Sequence, residues 1–233
     1  MWSTPPTWLV VVAWVALAVA AACAVDIILD IVGRRRRQQM RVMEVVWPVT
    51  ALYFGPVASW GYRRWGRPKS PRWLAEHHLD EPPQRPGWTS VALGVSHCGA
   101  GCTLGDIIAE TTIFLIGWEI AGMALWPEFI GDYSLALILG VAFQYFAIAP
   151  MRDLSLGEGL KQAVKADFLS LTAFEVGLFG WMALMAFVFF PGPHLRPDSP
   201  VYWFGMQLGM VLGFATAWPV NVWLIRRGIK EPM

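Results

Sequence analysis

Uninterrupted apolar runs of about 20 residues or more recur along the chain, and they constrain its fold more than any other feature. A bilayer's hydrocarbon core is about 30 Å thick, and a helix rising about 1.5 Å per residue needs roughly 20 apolar residues to cross it. Lipid offers no hydrogen bonds to a bare backbone, so such runs must be helical. Six segments meet the length criterion: Trp8–Val32, Val42–Tyr62, Ser90–Leu125, Tyr133–Met151, Asp167–Phe190 and Val201–Ile225. The expected fold is an all-α, polytopic transmembrane bundle, with residues 1–233 as one domain. Apolar residues make up 56% of the chain and charged ones 15%, which excludes an ordinary soluble domain. The first run is longer than a signal-peptide core and lacks a basic region before it, so it reads as a retained helix.

Charge places the loops. Basic residues fall in short runs between the apolar segments, a membrane pattern with no sign of nucleic-acid binding. By the positive-inside rule, loop 63–89, with Arg63, Arg64, Arg67, Lys69 and Arg72, is cytoplasmic. The loop with Arg152, Lys161 and Lys165 and the C-terminus with Arg226, Arg227 and Lys230 follow it, in a bacterial cytoplasmic membrane. The connection carrying Glu128 and Asp132 has no base and faces out. Arg34–Arg37 and Arg41 conflict with six full crossings, which would put them outside. Pro48 and Pro56 in the second segment offer the alternative of a re-entrant or kinked segment, and then every loop obeys the rule. Residues 154–166 are polar with a helical apolar period, as expected of an interfacial amphipathic helix.

Ionisable groups inside a membrane cost about 2.5–3.5 kcal/mol each on insertion scales, so those present point to chemistry. The third segment is richest in them. Cys98, Cys102, Asp106 and Glu110 repeat every four residues and share one helix face with Gly105, Ala109 and Gly117. Small residues let a neighbouring helix approach, so this ladder is expected to face protein. Two thiols one turn apart can share a soft ion, Cu(I) or Zn(II), copper first. His97 is a third candidate ligand if Gly99 and Gly101 loosen the backbone. Met206 and Met210, with Gly213, Ala217 and Asn221, form a matching stripe in the sixth segment. Glu175, Asp167, Asp26 and Asp30 are candidate proton or charge relays. The bland alternative is a packing seam of Gly, Ala and Cys with protonated structural carboxyls.

The stretches His97–Glu110 (HCGAGCTLGDIIAE), Ala166–Glu175 and Trp218–Glu231, with Val46–Tyr53, resemble an uncharacterised family of bacterial multi-pass membrane proteins, a domain-of-unknown-function family with a His-Cys-x3-Cys-Thr-Leu-Gly-Asp motif. The resemblance runs from Met40 onward. It implies fold and membrane location and supplies no activity.

The leading expectation is therefore a membrane protein that binds or transports a soft metal ion, with lipid and the ion as partners and no organic cofactor. Further copies of the chain remain candidate partners. A thiol oxidoreductase using Cys98 and Cys102 is the enzymatic alternative, disfavoured because residues one helical turn apart sit near the upper limit for a disulfide. A non-catalytic subunit or scaffold, or a proton pathway, is the third reading. No phosphate-binding loop, HExxH or G-x-S-x-G motif occurs, so neither nucleotide-driven transport by this chain alone nor hydrolysis is expected.

Overall fold

The computed structural model describes residues 4–152 and 155–230, with all their side chains except those at 147–152 and 166. Among the described residues the protein is helical with no strand, and five helices are long and apolar enough to cross a membrane. They are α1 (Thr7–Ile28, extended by a wide π-type turn to Gly33), α5 (Gly87–Ile116), α6 (Leu125–Arg152), α7 (Leu156–Leu184, extended to Phe189) and α8 (Pro200–Arg226). Three short helices lie between α1 and α5: α2 (Met43–Phe54), α3 (Pro56–Gly61) and α4 (Pro71–Glu76). It is a multi-pass membrane protein.

The second apolar segment does not cross. α2 ends at Gly55, whose φ of 53° and ψ of −123° suit a residue without a Cβ, and Pro56 then starts α3 in a new direction. Both ends of this helix–break–helix meet the C-terminal end of α1. Tyr62 Oη donates to Asp30 Oδ2 at 2.9 Å, Arg63 pairs with Asp26 at 2.7 Å, and Arg36 pairs with Glu76 at 3.1 Å. Arg72 also donates to the carbonyl of Arg34 at 2.8 Å. The tip reaches deep into the bundle, where Gln207 Nε2 donates to Leu52 O at 2.6 Å and Phe54 packs edge-on against Phe214. Residues 43–66 thus enter and leave by the same face. Of the two readings open for this segment, a full crossing or a re-entrant turn, the fold takes the re-entrant one.

The re-entrant path removes the charge conflict. α5 starts at the same face, with Trp88 against Trp65, and α8 ends there, with Lys230 on the carbonyl of Gly94. At the other face Ala13 of α1 packs with Phe190 and Val201. Among the described side chains, every Lys and Arg except Arg196 lies at the first, basic face.

Three expectations need correction. Residues 154–166 do not form a separate interfacial helix. Leu154 lies outside the described residues, and from Leu156 the segment is the start of α7, capped by Ser155, whose hydroxyl accepts from Glu158 N and donates to its carboxylate. Glu128 and Asp132 are not in an outward loop. Their stretch begins α6, and both are buried. Gly117 is not part of the packing seam; it ends α5 with a φ of 66° and has nothing near its missing side chain.

α5 is the centre of the bundle, packed by α6, α7, α8 and α2. Its small residues set the closest approach. A Cβ on Gly101 would lie 2.8 Å from Gly140 Cα, and one on Gly105 would lie 2.6 Å from Ala136 N. Backbones that meet this closely gain dispersion contacts, which drive helix association where lipid is as apolar as leucine.

Candidate functional site

α5 runs without a break through Gly99, Gly101 and Gly105. Each glycine costs roughly 1 kcal/mol of helix propensity against alanine. A broken turn in lipid would leave peptide groups unsatisfied at several kcal/mol each, so the helix holds. Its regularity decides which side chains can meet. Cys98, Cys102, Asp106 and Glu110 do form one inward strip and are fully buried. The expectation of a protein-facing ladder is met.

Neighbouring helices extend the strip into a column. The Cys98 and Cys102 thiols are free and adjoin one another one helical turn apart. Glu175 from α7 approaches Cys102. Asp106 has Glu175 and Glu110 as its charged neighbours. Glu110 faces Glu128 and Asp132 from α6 and Tyr202 from α8. From Cys98 to Glu110 the column rises about 18 Å along the helix axis, over half of the hydrocarbon thickness. Met210 reaches it from α8, where Thr103 Oγ1 donates to its sulfur at 3.5 Å. Met206 lies one turn closer to the far face. A cavity of about 70 Å³ opens beside loop 190–199 and is lined by Glu128, Tyr202 and Met206, so it meets the column at that end.

The column's electrostatics are one-sided. The charged groups acting on Asp106, Glu110, Asp132 and Glu175 are other acids, with no Lys or Arg among them. These four residues leave both carboxyl oxygens without a well-formed hydrogen bond. Burying carboxyls this way is costly unless a proton or a cation neutralises them.

Other expected site residues lie elsewhere. With the backbone unbroken at Gly99 and Gly101, His97 cannot turn toward the thiols. Its ring packs edge-on to Phe143, and its charged neighbours are Asp167 and Lys230. Asp167 pairs with Lys230 at 3.1 Å, both side chains being fully buried. Asp30 is held by Tyr62 and by Arg34, Arg36 and Arg67, and Asp26 by Arg63, so both brace the basic face rather than the column. Among the described residues no three His, Cys, Asp or Glu side chains converge closely enough to hold one metal ion. Conversely, Glu128, Asp132 and Tyr202 belong to the column although sequence reasoning passed them over. The available signal was Pro127 followed by Glu128, a proline and an acid suited to a helix's first turn.

The column and the polar cluster around Asp167 both fall within residues 87–230, the stretch that matches a family model described as a domain of unknown function, DUF4396. The chain belongs to this family. The match starts at α5 and ends on Lys230, so α1 and the re-entrant segment, including Val46–Tyr53, stand outside it. No curated protein and no solved structure matches the chain.

Proposed function

We propose that the protein carries a cation into or across the membrane along the thiol–carboxyl column, and that its two cysteines make a soft metal ion the cargo, Cu(I) before Zn(II). The observation that supports this is the buried run of acids from three helices, with no basic side chain acting on it among the described residues. Such a site is stabilised by a positive charge. Thiolates select soft ions, and Cys98, Cys102 and the Met210 thioether are the sulfur donors on the column. Glu175, Asp106 and Glu110 would balance charge as the ion moves. The basic face is the cytoplasmic side of a bacterial membrane in this reading, in keeping with the positive-inside rule.

A second reading is that protons alone use the column. It is favoured by the buried, unpaired carboxyls, each close to the next acid along the column. Carboxyls and thiols at successive helical turns could pass protons without holding a metal.

One experiment separates them. Metal content is measured on purified wild-type protein and on Cys98→Ser/Cys102→Ser after exposure to Cu(I). About one copper per chain, lost in the variant, supports the soft-metal reading. Near-zero copper in both removes it. Acidification of the lumen of reconstituted vesicles, abolished by Glu175→Gln, would then support the proton reading. No flux of either kind overturns both.

A further inference from the structure

At the basic end of the bundle, Lys230 is buried within the helices, with 1% of its surface exposed. The chain is turned to put it there. After α8 ends, Gly228 takes a φ of 65°, and the N–H groups of Ile229 and Lys230 both return to the carbonyl of Leu224. The lysine is thereby folded back toward α5 and α7. Its ammonium donates to Asp167 Oδ1 at 3.1 Å and to Gly94 O at 3.3 Å.

The surroundings carry more oxygen than the ammonium uses. Asn221 Nδ2 donates to Ser170 Oγ at 2.6 Å and to Ala217 O at 2.9 Å, which fixes the orientation of its amide. Its Oδ1 is buried without a partner, as is Asp167 Oδ2. A Cβ on Gly94 would lie 3.6 Å from Asn221 Oδ1 and 3.7 Å from Lys230 Cε, so both side chains cover the same patch of α5. The ammonium thus contacts a carbonyl and a carboxylate oxygen, and the unpartnered amide oxygen of Asn221 lies over the same patch of α5. Oxygen donors of this kind, with one net negative charge, suit a hard monovalent cation; a divalent ion would keep an unbalanced charge in a buried site.

We propose that the Lys230 ammonium occupies a monovalent-cation subsite formed by Gly94 O, Asp167 and Asn221 Oδ1, and acts as a tethered plug at the basic end of the column. This rests on the cation-column reading for its role and extends it to the end that the far-side cavity does not reach. Leu171 and Phe174, both fully buried, follow Asp167 by one and two turns and precede Glu175. They form an apolar layer between the subsite and the thiols. Withdrawal of the lysine frees the oxygens for a cation from the basic side. Its return expels that cation.

The test uses the full-length protein in detergent, comparing K⁺ with choline at equal ionic strength. Lys230→Met empties the subsite of its built-in charge. Its melting temperature should rise with K⁺ and saturate, whereas wild type should be indifferent. Asp167→Asn/Lys230→Met should bind K⁺ at least tenfold more weakly than Lys230→Met. Lys230→Gln, which keeps a donor for Gly94 O, is carried in parallel. No K⁺ response in either single variant, or failure of both to fold even in K⁺, overturns the proposal, as does an equal response in wild type. The K⁺ response of Lys230→Met should persist on a Cys98→Ser/Cys102→Ser background. Failure of the thiol cargo reading therefore leaves this result standing, and loss of this result leaves copper binding untouched.

Discussion

α1 and α5 are both membrane-length helices, yet they are built in opposite ways. The apolar window of α1 is 17% buried inside the protein, and that of α5 is 56% buried. α1 is almost wholly Val, Ala and Leu until Asp26, and it shows Val11, Trp14 and Val15 outward. α5 carries glycines, thiols, hydroxyls and acids, and buries those between Gly94 and Glu110. Hydrophobicity in water marks the residues that go to the core. In lipid it marks those that can stay at the surface, and the interior falls to small residues that pack closely and polar residues that need partners. The burial pattern of α5 therefore points to function in a way that α1's cannot.

Substitutions can break or sharpen this contrast. The largest effect is expected from Gly105→Val. Its side chain would start 2.6 Å from the backbone of α6, and the cost should be about 3 kcal/mol or more, read as loss of folded protein in a detergent melt. Val15→Arg on the exposed face of α1 should cost about 2.5–3.5 kcal/mol of insertion free energy, whereas Val15→Ala should leave the melting temperature within 1–2 °C of wild type. If Val15→Ala were as damaging as Gly105→Val, α1 would not be lipid-facing.

Asp30→Asn removes the acid that three arginines and Tyr62 share at the foot of the re-entrant segment. One of those arginines is largely exposed, so a loss of about 1–3 kcal/mol is expected, visible as faster proteolysis between residues 63 and 86. Asp106→Asn should change stability by less than about 1 kcal/mol, because an amide of the same shape relieves a buried charge. The same change should cut cation flux at least tenfold. Loss of folding, or folded protein with unchanged flux, would reverse the contrast between the two helices.

The last effect lies outside the membrane, where solvent screens the half-buried Lys69 and reduces it. Burial, with Arg85 nearby, lowers the Lys69 pKa from 10.5 to about 8. Below pH 8 folded and unfolded chains both hold the proton, and the penalty is constant. Between pH 8 and 10.5 the unfolded chain keeps a proton that the folded one has released, so stability should rise with pH. Lys69→Met should flatten that rise in melts collected across this range.

Apolar length and four-residue spacing were enough to locate five spans and the inward strip of α5, because both properties are local. What sequence misread depended on neighbours. Glu128 and Asp132 look like loop residues because two acids close together suggest water; α5 and Tyr202 give them a buried setting instead. His97 sits beside Cys98 in sequence and 100° away on an unbroken helix, so it joins Asp167 and Lys230. Asp26 and Asp30 share a face with Cys23, but the arginines that claim them come from more distant stretches as well as the adjoining turn.

The sequence by itself determined that this chain lives in a bilayer, which runs must be helical, and which face of α5 carries thiols and acids. Each follows from a single segment's composition and the 3.6-residue period. Tertiary structure alone decided that the second segment turns back, that acids from α6 and α7 complete the column, and that a lysine from the end of α8 closes on Asp167. Those outcomes rest on contacts between residues up to 155 positions apart, as between Leu52 and Gln207, and no local pattern encodes which distant partner a polar group will meet.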